Sequence, residues 1–214
     1  MNAPSPRSAA RALASPTPGA AAKAAAARAR LTPETWIEAA TAVLVDQGID
    51  HVRVDVLARQ LGVTRGSFYW HFRDREDLVQ RVLRAWSERA TELLTRRLET
   101  ARSEPREQLR DVISLPFRGR AALRAARIEL AIRAWARRDA MARLAVDEAD
   151  AARLAYHTQV FVATGFGSEE AAMRAFLLYS YEVAESLLNR QGTAEQKLAR
   201  RAFVERLMQQ PVPS

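Results

Sequence analysis

The residues of this chain that could do chemistry are concentrated between Gly62 and Phe72, in the run Gly-Val-Thr-Arg-Gly-Ser-Phe-Tyr-Trp-His-Phe. A guanidinium, two short hydroxyls and five consecutive rings, counting the imidazole, follow the opening glycine. A helix turns once in about 3.6 residues, so five neighbouring rings cannot all face one core. Some of them must point to solvent, beside groups that can reach phosphates and base edges. The run is therefore a candidate nucleic-acid contact.

Each residue type in this run has a use in the major groove of DNA. Arg65 can present two N–H groups to guanine O6 and N7, while Thr64 and Ser67 suit a phosphate or a base edge. Gly66 lets the backbone approach closely. The alternative is that the rings pack against the next helix and the arginines are only solvated. The remaining predicted contacts, to thymine methyls and phosphates, are Tyr69, Trp70, His71, Arg73 and Arg75.

The elements that must position this run form a predicted helix-turn-helix. A first helix begins at Thr32 and Pro33 and stops at Gly48, because Thr suits the cap, Pro the first turn and Gly the end. A second helix covers 54–61, and Gly62 ends it. A short third helix, capped by Thr64, covers 65–72. Two helices joined by a few residues with a glycine at the bend are typical of this motif.

The remainder of the chain is also predicted to be helical. A fourth helix begins at the cap Asp74 and continues for about seven turns, leaving the small N-terminal unit. Five more follow at 106–114, 119–138, 140–164, 168–190 and 194–209. We therefore predict an all-α fold of about nine helices, with a helix-turn-helix domain at 31–78 and a C-terminal effector-binding and dimerisation domain at 79–210.

Composition sets limits on the class of protein. The chain has 214 residues and a net charge of +8, but residues 1–30 hold five cations and no acid, so most of the excess lies there. Rich in Ala, Ser and Pro, residues 1–30 are predicted to be a disordered tail, either solvated or touching DNA phosphates. The apolar runs are shorter than a membrane span of about 20 residues, so we expect no membrane association and a cytoplasmic location.

The sequence offers little support for an enzyme. It has no cysteine, and its three histidines, His51, His71 and His157, lack metal-ligand spacing. Neither a glycine-rich phosphate loop nor a nucleophile elbow is present. We expect no catalytic residues, no metal and no cofactor.

Residues 32–88 resemble the DNA-binding domain of the TetR family of bacterial transcriptional regulators. The pieces that carry the resemblance are Gly48-Ile49, the stretch 54–58, the run 62–72 and the stretch 74–78 with its Asp-Arg-Glu-Asp-Leu sequence. The resemblance implies a homodimer, a divergent C-terminal domain that often binds a small effector, and DNA contacts at Thr64, Arg65, Ser67, Tyr69, Trp70, His71 and Arg75.

The chain departs from the family pattern at the start of the second helix. Arg53 and Val54 stand where the family commonly has Ser or Thr, so a helix cap and a phosphate hydroxyl are expected to be lost. Arg53 would contact phosphate instead.

The leading hypothesis is a ligand-responsive repressor that binds double-stranded DNA at a palindromic operator, as a homodimer formed through the last two long helices. The alternative is a dimeric protein of the same fold that acts mainly through a protein partner. Aromatic and sulfur-bearing residues of the C-terminal half could line an effector pocket, or could be ordinary core or dimer packing. These residues are Trp135, Tyr156, His157, Phe161, Met173, Phe176 and Tyr179.

Overall fold

The computed structural model describes residues 31–99, 104–114, 119–188 and 191–210, and these ranges are all-helical and contain no strand. The predicted all-α fold is confirmed, and every predicted helix is present, the third as a 3₁₀ segment. The predicted tail, 1–30, lies outside the described residues. The elements are α1 (Pro33–Gln47), a 3₁₀ segment (Ile49–His51), α2 (Val54–Gln60), a second 3₁₀ segment (Arg65–Trp70), α3 (Arg75–Glu99), α4 (Pro105–Ile113), α5 (Gly119–Ala136), α6 (Ala140–Ala163), α7 (Ser168–Leu187) and α8 (Ala194–Gln209).

Helix α1 begins and ends where its sequence signals predict. Pro33 occupies the first turn, and Gly48 adopts a φ of 86° at the end, where its N–H donates to the Leu44 carbonyl at 3.0 Å. A left-handed φ of this kind favours glycine. The predicted cap differs, because within residues 31–99 the Thr32 hydroxyl contacts the Thr35 hydroxyl at 3.4 Å and caps no backbone N–H.

The helix-turn-helix unit closes around three aromatic rings. Trp36 meets Phe68 edge to face with ring centroids 5.4 Å apart, and Phe68 stacks on Phe72 at 5.1 Å. Leu57 from α2 and Leu78 from α3 complete this core, and all five side chains are buried. Truncating a buried ring of this kind costs about 3–5 kcal/mol. The packing therefore fixes the orientation of the recognition segment.

Helix α3 connects this unit to the C-terminal helices. Asp74 accepts a hydrogen bond from the Asp77 N–H at 2.8 Å, which confirms the predicted cap. The helix has 25 residues and is about 37 Å long at a rise of about 1.5 Å per residue. Trp86 of α3 and Trp135 of α5 belong to the same buried cluster as Trp36. The core thus continues past residue 78, and the domain boundary placed there stays a prediction.

A second buried cluster holds the C-terminal helices together. Leu109 of α4, Phe161 of α6, Leu178 of α7 and Met208 of α8 meet in it. The turn between α6 and α7 requires Gly165, whose φ is 102°. Within the described residues, no helix is both long and apolar enough to cross a membrane.

Candidate nucleic-acid interface

The turn before the recognition segment depends on one glycine. Gly62 has a φ of 68°, and a Cβ built there would have nothing within 4 Å, so the backbone conformation rather than space requires glycine. The Val63 N–H then donates to the Ala58 carbonyl at 2.9 Å. This bond ties the turn to α2 and sets the direction in which the chain leaves it.

The recognition segment, Arg65–Trp70, is a 3₁₀ helix rather than the α-helix expected over 65–72. Its bonds are short-range, with the Ser67 N–H donating to the Thr64 carbonyl at 3.1 Å and the His71 N–H to the Phe68 carbonyl at 3.0 Å. At three residues per turn, it turns Phe68 inward and leaves the two following rings outside.

The rings separate into buried and exposed sets. Phe68 is 0% exposed, whereas Tyr69 is 55% and Trp70 87% exposed. A tryptophan with this much apolar surface in water is unusual on a lone protein and marks a contact site. The alternative in which Tyr69 and Trp70 pack against the next helix is therefore excluded; His71 is half-buried.

Polar groups surround these exposed rings. Thr64 Oγ1 and Ser67 Oγ lie 3.3 Å apart, within hydrogen-bond distance, so the two hydroxyls are adjacent on the surface. Arg65 and Gly66 are exposed beside them. The structure thus brings together Thr64, Arg65, Gly66, Ser67, Tyr69 and Trp70 as one surface, which we call the recognition surface.

Arg75 has a different environment from the one predicted. Its Nε donates to the Val52 carbonyl at 2.7 Å and its Nη2 to the Ile49 carbonyl at 2.8 Å. The guanidinium therefore ties the start of α3 to the segment that leads into α2. This is a positioning role, and a direct DNA contact by Arg75 stays a prediction.

Arg53 lies at the start of α2. The Arg53 side chain does not cap this helix, which confirms the expected loss of the cap. The Arg53 guanidinium instead pairs with Asp55 at 3.3 Å. Both side chains are well exposed. An exposed ion pair contributes little to stability, so the guanidinium is available to exchange Asp55 for a phosphate.

Sequence reasoning missed a pair that supports the edge of this surface. Asp77 accepts from the Arg73 backbone N–H at 3.1 Å, and its other oxygen accepts from Arg81 Nε at 3.0 Å. The Arg81 and Arg73 hydrogen bonds hold the pKa of Asp77 below its ordinary value. Arg81 also lies over the Phe72 ring, 4.9 Å from its centroid. The i,i+4 spacing of Asp77 and Arg81 was the available signal.

The residues predicted to line an effector pocket do not form one group. Trp135 is in the first buried cluster, while Tyr156 and Phe161 are in the second. Met173 and Phe176 belong to neither cluster and are 62% and 61% exposed on α7, as the alternative of dimer packing would have them. The effector pocket itself stays a prediction.

A partly buried ionic cluster lies between α5, α6 and α7. Arg133 and Arg153 both bond to Glu129, and the Tyr179 hydroxyl donates to Asp150 at 2.5 Å. Burial alone would lower the pKa of Arg153, but Glu129 and Tyr179 raise it above its ordinary value. Burial likewise raises the pKa of Tyr179. Buried His157 lies beside this cluster, with Nε2 3.8 Å from a Glu182 oxygen.

Taken together, the fold and the recognition surface define a helix-turn-helix protein with a larger helical C-terminal body. The sequence model of the family described as bacterial regulatory proteins, tetR family, matches residues 37–82. The helix-turn-helix domain of this chain is therefore similar to that of the TetR family.

Known proteins resemble the two parts of the chain to different degrees. The uncharacterized HTH-type transcriptional regulator TtgW of Pseudomonas putida is 45% identical over 58 residues, which cover 27% of this chain and 43% of TtgW. A transcriptional regulator from Rhodococcus sp. Rha1 superposes with a TM-score of 0.64 at 19% identity, covering 84% of this chain and 92% of that one. FadR from Bacillus subtilis, solved in complex with stearoyl-CoA, superposes with a TM-score of 0.60 at 18% identity. The superposition covers 85% of this chain and 100% of the FadR chain. The match to TtgW spans less than half its length, and the solved structures show the fold alone.

Proposed function

We propose that this chain is a DNA-binding transcriptional regulator that acts as a homodimer and represses transcription until a small molecule binds. The observation that carries the proposal is the division of the rings in the recognition segment. Burial of Phe68 and Phe72 turns Tyr69 and Trp70 outward, next to Arg65. A guanidinium, hydroxyls and exposed rings on a post-turn segment suit the major groove.

Each residue of the recognition surface has a role in this proposal. Arg65 donates two hydrogen bonds to a guanine, while the Thr64 and Ser67 hydroxyls bind a phosphate. Tyr69 and Trp70 contact thymine methyls. A Cβ at residue 66 would meet only Thr64 Oγ1, at an ordinary 3.7 Å, so the unbound protein has room for a side chain there. We attribute Gly66 to the close approach of DNA.

The proposed dimer uses the exposed apolar faces of the last two helices. On α7, residues three and four apart share one face, and apolar side chains are exposed there. Such a patch is rarely left in water. In the dimer, two recognition surfaces would lie about 34–36 Å apart, one DNA turn. The residues of these faces are Met173, Phe176, Leu177 and Leu187 on α7, and Leu198, Phe203 and Leu207 on α8.

Release of DNA is proposed to follow from ligand binding in the C-terminal body. A ligand that binds better to a conformation with the wrong separation of the two surfaces weakens DNA binding by that difference in affinity. Helix α3 is the proposed link, because its buried face packs in one core with both α1 and α5. FadR, which has this fold, was solved with stearoyl-CoA, which supports a bound organic molecule here.

No catalytic activity is proposed. Among the described residues, no group of three or more His, Asp or Glu is placed to hold a metal ion. The proposed location is the cytoplasm, since a regulator of bacterial promoters binds DNA there. The competing proposal is a dimeric interaction protein in which exposed Trp70 docks onto a protein, as buried aromatic anchors do at interfaces.

Selection of bound sequences from a pool of random duplexes tests the two proposals against each other. The DNA regulator is expected to enrich a palindrome whose half-site centres lie about 10–10.5 base pairs, or a multiple, apart. The interaction protein is expected to enrich none. Enrichment without two-fold symmetry would remove the dimer from the proposal and keep DNA binding.

A further inference from the structure

A groove lies between α1 and α5, and its volume is about 920 Å³. Sites for organic ligands usually measure about 300–1,000 Å³. Thr41, Ala42, Val45 and Asp46 of α1 form one wall. Asp46 is ten residues beyond Trp36, or about 15 Å along the helix axis. The groove is therefore distant from the end of α1 that packs on the recognition segment.

The opposite wall is strongly cationic. Arg120, Arg124 and Arg127 follow at i, i+4 and i+7 on α5, so they share one helix face, and Lys197 of α8 joins them. Asp46 is the one carboxylate among the described residues of the lining, and it pairs with Arg127 at 3.0 Å. Within the described ranges, Arg120 and Arg124 have no carboxylate partner. Four cations against one anion leave the groove positively charged.

The floor between these charges is apolar. Leu123 and Ile128 of α5 face Ala42 and Val45 of α1 across it. Leu123 is exposed, so apolar surface is open to a ligand. Thr41 directs its hydroxyl proton to the Ile37 carbonyl at 2.7 Å, so it adds little polarity.

We propose that this groove binds a small organic anion in which a carboxylate or phosphate is attached to an apolar body. The guanidinium groups of Arg120 and Arg124 would hold the head group, because their forked N–H donors match both kinds of oxygen. The apolar floor between Val45 and Leu123 would cover the body. Duplex DNA fits this groove less well, because its phosphates carry no apolar group that could pack on the apolar floor.

The location gives such a ligand a means of regulation, and this part rests on the proposed DNA binding. An anion on α5 competes with Asp46 for Arg127. That pair and Arg138–Asp50, at 3.6 Å, tie the end of α1 and the turn after it to the C-terminal body. Both partners of the Asp46 pair are exposed, so its loss would change the contact between the end of α1 and α5 at little cost in stability.

Calorimetry on the full chain with four octyl probes tests the site without DNA. Octanoate and octyl phosphate are expected to bind with one molecule per chain, and 1-octanol and octylammonium at least about tenfold more weakly. Binding of only one of the anions supports the site and identifies its head group. The double variant Arg120→Gln/Arg124→Gln is expected to weaken anion binding at least about tenfold, since two charge-assisted contacts are lost.

Arg137→Gln is the matched control, because this exposed arginine lies beyond α5 and outside the groove lining. It should bind the anions as the unchanged chain does. Equal binding of octanol, no binding of any probe, or wild-type binding by the double variant would overturn the site. Loss of DNA affinity in the double variant without a probe would instead make the groove a phosphate contact. Because the anion is measured without DNA, failure of the proposed function leaves this result interpretable.

Discussion

Trp36 of α1 and Phe68 of the recognition segment meet edge to face, with an interplanar angle of 76° and both side chains fully buried. Phe68 also stacks on Phe72 with the two planes only 21° apart. These contacts anchor one side of the recognition segment in the core. The neighbouring rings, Tyr69 and Trp70, lie outside this core and are exposed. The surface offered to DNA is thus set by packing beneath it.

Truncation of two neighbouring rings should show that only the buried one supports the stability of the fold. Phe68→Ala is expected to lower the free energy of unfolding by about 3–5 kcal/mol, because it empties a site filled by a buried ring. Tyr69→Ala should change it by about 0.5 kcal/mol or less, since that ring is exposed. Urea unfolding measures both. Equal losses of stability would contradict the division of the rings.

Local signals predicted the fold well. Gly48, Gly62 and Asp74 end or cap helices through their own backbone or nearest neighbours, so their effect could be read from the sequence. The 3₁₀ form of the recognition segment could not, because tertiary packing of Phe68 against Trp36 decides it.

The candidate site was predicted in part. Residue types identified the recognition surface, and the structure buries Phe68 and Phe72 beneath it. The role of Arg75 was missed, since its carbonyl partners are 23 and 26 residues earlier in the chain. The ionic cluster of Glu129, Arg133 and their partners was missed for the same reason, as it joins three helices.

Arg75 and Arg73 should respond differently to truncation. Arg75→Ala removes charge-assisted bonds to two backbone carbonyls and is expected to cost about 1–3 kcal/mol of stability, and DNA affinity with it. Arg73→Ala removes an exposed side chain and should leave stability unchanged. If Arg73 meets a phosphate, the slope of log affinity against log salt falls by about one. A stable Arg75→Ala chain that only loses DNA affinity would contradict the positioning role.

The stability that the ionic cluster contributes should depend on pH through Asp150. Burial would raise its pKa, but hydrogen bonds from Arg133 and Tyr179 hold it below its ordinary value. A depressed folded pKa stabilises the protein above the unfolded pKa of about 3.9, and this contribution is lost as the pH falls toward the folded value. Asp150→Asn should therefore be less stable than the unchanged chain at pH 7, with a difference that shrinks below about pH 4.

The control for this experiment is Asp147→Asn, an exposed carboxylate on the same helix. It should follow the unchanged chain at every pH in denaturant titrations. A stability difference for Asp150→Asn that stays constant from pH 7 to pH 3 would show that its charge does not support the cluster.

The proposed dimer face can be tested with two exposed apolar residues. Phe176 on α7 and Leu144 on α6 have similar exposed fractions, 61% and 60%. Phe176→Glu is expected to produce monomers in sedimentation velocity, because a charge would be buried between two copies. Leu144→Glu should leave the dimer intact. Monomers from Leu144→Glu alone would move the interface to another face.

The central claim, that the recognition surface binds DNA, is tested most directly by fluorescence anisotropy with a duplex from the selection and a scrambled duplex. The unchanged chain is expected to bind the selected duplex with a Kd of about 10⁻⁸–10⁻¹¹ M and the scrambled one at least about a thousandfold more weakly. Arg65→Ala/Tyr69→Ala should lose at least about a hundredfold for the selected duplex while it remains a dimer. Unchanged affinity in this variant, or equal binding of both duplexes by the unchanged chain, would contradict the account.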